Sequence, residues 1–190
     1  MMADVIVVGG GTAGFGAAVA AGRAGLKVHL LEAGPKVGGV MAFCPGMPWG
    51  AAYPMGTIVG GLMEELTTRL SAMTPPAAET RPCTLANFGP EIQYDHDIAT
   101  ITMFEMLEEA GVHVHLGATA LEPVMEGERI GAIRYADRAG VHEMAARIVI
   151  DASGDGDISA KAGVPFELGD GRGNMMAVTL SFHMIGADWD

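Results

Sequence analysis

Between Val5 and Glu32 the chain carries the pattern that most restricts its fold. Residues 5–8 are a short, β-branched apolar run, which reads as a buried parallel strand. Gly9-Gly10-Gly11 ends that run. The stretch 12–25 is built mostly of Ala, Gly and Val, as expected for a helix with a small-residue face that stops at Gly25. Residues 27–31 form a second apolar run, closed by Glu32. Strand, glycine turn, helix and strand within about 30 residues make a right-handed βαβ unit. The turn, Gly9-Gly10-Gly11-Thr12-Ala13-Gly14, fits G-x-G-x-x-G. Gly9 permits a tight exit from the strand, Gly11 leaves room for a pyrophosphate against the backbone, and Gly14 lets helix and strand pack closely. The free N–H groups over Thr12 and Ala13, at the positive end of the helix, suit an anion. Glu32 stands where a carboxylate can accept hydrogen bonds from ribose hydroxyls. A glycine run in a chain with 28 glycines is weak evidence alone. Here it follows a strand, opens a helix and has its acid in register.

The rest of the chain extends this unit. Residues 33–56 read as a loop rich in Gly, Pro and Met. A helix is expected from Thr57 to about Met73, with Ile58, Leu62, Leu66 and Leu70 on one stripe. Residues 74–93 hold four prolines and read as irregular. Asp95 or Asp97 opens another helix, with Ile98, Ile101, Phe104 and Leu107 as its core stripe and Gly111 as its end. Short strands follow at 112–116, 121–125, 130–135, 141–144 and 147–151, with turns at Glu126-Gly127-Glu128 and Asp137-Arg138-Ala139-Gly140. A short helix to Ala162 and a last strand at 176–185 complete the reading.

Three features favour FAD over NAD as the dinucleotide. Gly38-Gly39 follows Glu32 after a short turn. The third strand begins about 80 residues after Glu32, too far for the single helical crossover of a plain NAD domain. A β-meander stands where an NAD domain would place a helix. The chain resembles the glutathione-reductase-like FAD domain and, more narrowly, the FAD-dependent oxidoreductases related to fumarate-reductase-type flavoproteins. The resemblance rests on residues 4–14, on Leu31-Glu32 with Gly38-Gly39, and on residues 150–157, Ile-Asp-Ala-Ser-Gly-Asp-Gly-Asp. It implies a Rossmann-like α/β fold with a parallel sheet, a β-meander insertion and a long insertion between the second and third strands. It also implies that Gly38 and Gly39 approach the ribityl–pyrophosphate part of FAD. Ala152-Ser153-Gly154 then stands in place of an Ala-Thr-Gly motif, the serine keeping the hydroxyl. Residues 1–166 would form the FAD-binding domain and 167–190 the start of a substrate domain, too short to close an active site by itself. The expected activity is hydride transfer through bound flavin on a small-molecule substrate. The alternatives are an NAD-binding dehydrogenase-type domain and a non-catalytic dinucleotide-binding fragment.

Composition and isolated residues narrow the field further. A net charge of −12 argues against a nucleic-acid partner. The N-terminal apolar stretch has an acid, Asp4, where a signal peptide needs basic residues. No run reaches the length of a membrane span, so a cytoplasmic protein is expected. Cys44 and Cys83 form no CxxC. Cys44 follows the second glycine pair but has no partner cysteine nearby, and reads as a bystander thiol. Met41, Met47 and Met55 read as gap-filling residues. His113 and His115 share a strand face with no third ligand in the sequence around them, and Asp155-Gly156-Asp157 reads as a helix cap, so no metal site is expected. No catalytic residue is assigned.

Overall fold

The computed structural model describes residues 2–44, 46–50, 60–83, 89–178, 180, 184 and 186. β1 (Ala3–Val8), α1 (Thr12–Arg23) and β2 (Val28–Glu32) form the expected βαβ unit, with β1 and β2 parallel and Val7 opposite Leu30. After α2 (Val40–Phe43), α3 (Leu62–Ser71), β3 (Ala78–Pro82), β4 (Pro90–Tyr94) and α4 (His96–Glu109), the chain returns as β5 (His113–Leu116), parallel to β2. A meander of β6 (Thr119–Glu126), β7 (Arg129–Asp137) and β8 (Gly140–Asp151) leads to α5 (Asp157–Lys161). The main sheet has the order β5-β2-β1-β8-β7-β6.

The alternating faces of β1 and β2 divide the core. Val5, Val7, Val28 and Leu30 pack under α1, α3 and α4, together with Phe15, Leu66, Met103 and Leu107. Ile6, Val8 and Leu31 point to the other face, where they meet Ile133, Tyr135 and Ile158. The meander therefore lies over one face of the parallel strands while the helices cover the other, so both faces are shielded from water, as parallel strands require.

Five details depart from the sequence reading. Residues 141–144 and 147–151 are one strand, β8. Its first half pairs antiparallel with β7 (Ala132 opposite Ala145) and its second half parallel with β1 (Ala3 opposite Ala146). The change of partner falls at Ala145 and Ala146, the two residues left between the expected strands; Ala145 is exposed and Ala146 buried. Within 74–93 lies an antiparallel hairpin, β3–β4, rather than irregular chain. Pro82 and Pro90 face each other at the end where the chain passes from one strand to the other, the last pair of the ladder, where the missing N–H groups matter least. The buried face of α4 is Ala99, Thr100, Thr102, Met103, Met106 and Leu107, whereas Ile101 is 53% exposed. Thr100 and Thr102 tolerate burial because their hydroxyls donate to the His96 and Ile98 carbonyls. The loop after Glu32 contains the short helix α2. The expected strand at 176–185 is absent at Met176, Ala177, Val178, Leu180 and Met184, and its other positions lie outside the described residues, as do Thr57 and Ile58. Asp95 does cap α4, its carboxylate accepting from the backbone N–H groups of Asp97 and Ile98.

Candidate functional site

The C-terminal ends of β1, β2 and β8 meet at the glycine turn. Gly9 leaves β1 with φ +94 and donates its N–H to the Leu31 carbonyl at 2.8 Å. A side chain at Gly9 would run into the Ala152 carbonyl, and one at Gly14 into the Gly9 carbonyl. Ala152 itself donates to the Val8 carbonyl at 2.8 Å. Gly9, Gly14 and Ala152 thus form one close-packed knot that the protein's own backbone demands.

Gly11 is different. It is the N-cap of α1, with φ −66 and ψ −175, extended backbone that any residue adopts. A Cβ there would meet only the Cα of Gly39, at 3.9 Å. Neither backbone strain nor crowding within the protein explains this glycine. No side chain caps α1, its first turn carries no acid, and Thr12 and Ala13 are exposed. The helix N-terminus therefore presents open N–H donors beside an unfilled space, which is what a diphosphate needs.

The second glycine pair closes the other side. Gly38 donates to the Gly10 carbonyl at 2.8 Å and bridges to Gly11. Gly39 has φ +54, and a Cβ on it would come within 2.9 Å of the Gly11 Cα. Two backbones so close leave no side chain between them and a bound group.

Glu32 lies where expected but is already engaged. Its carboxylate accepts from the N–H groups of Gly10 at 2.6 Å and Gly34 at 2.5 Å. It braces the turn, and its remaining lone pairs are what it can offer a ribose. Beside it is a cleft of about 160 Å³ lined by Gly9, Glu32, Ala33, Ala118, Thr119 and Ser153. Sequence reasoning missed Ala33, Ala118 and Thr119. They contribute mainly shape and backbone, and no side-chain pattern marks them.

The Ala152-Ser153-Gly154 segment joins the site through Ala152 and Ser153. The Ser153 hydroxyl accepts from Gly156 and Asp157 at the start of α5, and Asp151 accepts from Ser153 and Ser159. Burial pushes the Asp151 carboxyl up, but these donors outweigh it and hold the group below its ordinary value. A side chain at Gly154 would meet nothing, so its glycine serves the turn, at φ +92. Asp155-Gly156-Asp157 is the entry to α5, with Gly156 as its N-cap.

Away from this cradle, His113 and His115 are joined by a third histidine that the sequence reading did not connect to them. His29, opposite His113 in register, stacks on both rings, and its Nδ1 lies 2.9 Å from His115 Nε2. Among the described residues no group of three or more His, Cys, Asp or Glu has an arrangement that could hold a metal ion. Cys44 caps the end of α2, half-buried. No helix among the described residues is long and apolar enough to cross a membrane.

Comparison with known proteins gives this geometry a context. The family described as FAD dependent oxidoreductase matches residues 4–190. Digeranylgeranylglycerophospholipid reductase 2 of Methanopyrus kandleri is 30% identical over 193 residues, covering 97% of this chain and 45% of its own. The 4-oxocyclohex-2-ene-1-carboxylate 5-dehydrogenase of Sinomonas cyclohexanicum is 39% identical over 72 residues, 38% of this chain and 12% of its own. The chain spans less than half the length of these curated relatives. Among solved structures, THI4 of Thermovibrio ammonificans superposes with a TM-score of 0.62 at 20% identity, over 84% of this chain and 61% of that one. A geranylgeranyl bacteriochlorophyll reductase-like protein of Thermoplasma acidophilum gives 0.60 at 20% identity, over 85% and 42%. At such identities the structures speak for the fold.

Proposed function

The chain belongs to the FAD-dependent oxidoreductase family, and we propose that residues 1–166 hold the adenosine diphosphate end of FAD for hydride transfer to or from a small-molecule substrate. The observation that carries this reading is the open space at Gly11 beside an uncapped helix. In the proposed arrangement the N–H groups at the start of α1, with Thr12 and Ala13, take the pyrophosphate, Gly11 lets it approach, and Gly9 and Gly14 hold the turn in place beneath it. Glu32 receives the ribose hydroxyls, and the cleft at Ala33, Ala118 and Thr119 receives the adenine. Gly38 and Gly39 pass the ribityl chain across the cradle. Ala152, Ser153 and Gly154 back the turn from β8. Bound flavin supplies the two-electron chemistry, while the protein supplies orientation and a fixed electrostatic setting.

The meander between β5 and the β1-paired half of β8 speaks against a plain NAD domain. We assign residues 167–190 to the start of a substrate domain. Apolar side chains lie exposed there, Met176 at 94% and Val178 at 101%, as expected of a segment that packs against something further. Only two cysteines, in no CxxC, and a net charge of −12 fit a cytoplasmic protein that does not bind nucleic acid. The test is direct. Purified protein is equilibrated with FAD, freed of excess and denatured, and the released cofactor is identified. Stoichiometric FAD is the expected result, and retention of NAD with no FAD would overturn the reading.

A further inference from the structure

A second cavity opens from the cradle. It has a volume of about 520 Å³, within the range of roughly 300–1,000 Å³ common for small-molecule sites. Thr12 and Val40 are part of its wall, and each directly follows one of the paired glycines, Gly11 and Gly39. It shares no lining residue with the cleft beside Glu32. The cradle therefore has two outlets of different chemistry, one polar and next to the carboxylate, one apolar.

Among the described residues no charged side chain lines the apolar cavity. Its deep wall is Phe15, Leu66 and Met103, all buried in the helix-side core. Among the described residues three lining side chains can hydrogen-bond, Thr12, Trp49 and Tyr94, and Thr12 sits at the cradle end. Tyr94 has its hydroxyl committed, donating to the Met41 carbonyl at 3.0 Å. Burial raises the Tyr94 phenol to about 12, so it brings no charge near neutral pH. Tyr94 is held further by stacking on Trp49 and by a tilted ring contact with His96, and Trp49 exchanges backbone hydrogen bonds with Ile92. One wall is thus a rigid aromatic plate fixed to the β3–β4 hairpin. Besides Met103, three methionines line the cavity, Met41, Met47 and Met63. Thioether chains adapt to an irregular apolar guest. A carboxylate or phosphate placed here would shed its water and find no partner.

We propose that this cavity receives an uncharged hydrocarbon part of the substrate, a chain or a ring, with its reacting end toward Thr12 and Val40 and Met63 as a residue that sets its fit. The assignment rests on the cradle holding FAD, because that places the outlet beside the flavin side of the dinucleotide. Met63 lies on α3, half-buried, and is not among the residues assigned to the cofactor.

The test uses farnesol, an uncharged prenyl alcohol, titrated calorimetrically into the FAD-loaded protein and into Met63→Leu, Met63→Trp and Met63→Lys. FAD affinity and melting temperature are recorded for each. One saturable farnesol site is expected, weakened about tenfold or more by the bulky and the charged substitution and kept within about twofold by Leu. FAD affinity should be equal in all four proteins. Absence of saturable farnesol binding, or equal binding by the Trp and Lys variants that still melt normally, would overturn the proposal. Farnesol that binds only the FAD-free protein and is displaced by FAD would also overturn it, giving the cavity to the flavin ring. Failure of the protein to bind FAD would remove the cofactor reading instead. The cavity would then be judged by the same variants without FAD.

Discussion

Replacing Gly11 by alanine separates what the fold requires from what a ligand requires. The added methyl meets only the Gly39 Cα, at 3.9 Å, an ordinary contact, and the backbone at φ −66 is open to any L-residue. Alanine is a poorer N-cap than glycine by roughly 1 kcal/mol or less. It also removes freedom from the unfolded chain, worth about 0.4–1 kcal/mol in the other direction. The two nearly cancel, so the ligand-free variant should melt within about 3 °C of wild type. FAD binding should respond far more. The methyl fills the space over the first N–H groups of α1, and losing one hydrogen bond to a charged oxygen costs about 1.5–3 kcal/mol, a factor of roughly 10–150 in affinity. Thermal melts without FAD and titration of flavin fluorescence measure the two effects. FAD binding within twofold of wild type would show that the space at Gly11 is not where the pyrophosphate lies. A melting temperature lowered by 10 °C or more would show that the glycine is structural after all.

Three further outcomes follow from the same contacts. Gly14→Ala should destabilise the ligand-free protein by about 3 kcal/mol or more, because its Cβ would collide with the Gly9 carbonyl inside a knot of backbone; a melt unchanged from wild type would contradict that packing. Glu32→Ala should weaken FAD by about 1–3 kcal/mol and also lower stability, since it strands the N–H groups of Gly10 and Gly34; a loss of affinity with no change in melting would mean that the bracing role is dispensable. Burial, then the neighbouring charges of His115, His113 and Lys27, depress His29 from 6.5 to about 4, so the unfolded chain takes up this proton first and stability falls as pH drops from about 6.5 toward 4. Allowing for partial solvent exposure, the loss between pH 7 and 5 should be about 1 kcal/mol, and urea unfolding of His29→Gln should lack it; identical pH dependence in the two proteins would remove His29 as its source.

What could be read from the sequence was whatever is enforced locally. The βαβ unit was legible because Val5, Val7, Val28 and Leu30 must be apolar to lie under α1, and because Gly9 and Gly14 admit no side chain where the chain turns. The cap at Asp95 was legible for the same reason, its partners being two and three residues away. What was misread depends on distant partners. Thr102 reads as polar, yet it is 1% exposed because a hydroxyl can be satisfied within its own helix, while Ile101 reads as core and lies outside. The two halves of β8 read as separate strands because Ala145-Ala146, between them, carries little strand preference. Only the presence of β7 beside one half and β1 beside the other makes them continuous.

The cradle shows the same division at finer scale. Its five motif glycines look equivalent as letters, since each satisfies a place in a pattern. In the folded chain they are of two kinds. Gly9 and Gly14 are fixed by contacts to Ala152 and to each other, and Gly38 and Gly39 by positive φ and close approach to Ala42 and Gly11, so for these four the protein itself explains the residue. Gly11 alone has a conformation open to any residue and room for a side chain. A glycine that the fold does not need, at the uncapped end of a helix and between two converging backbones, is accounted for by something that occupies the space in the working protein. On the proposed reading the fold makes the turn rigid through four glycines and leaves the fifth to the ligand. Strength of the knot and affinity for FAD should therefore be separable by substitution, Gly14 changing the first and Gly11 the second.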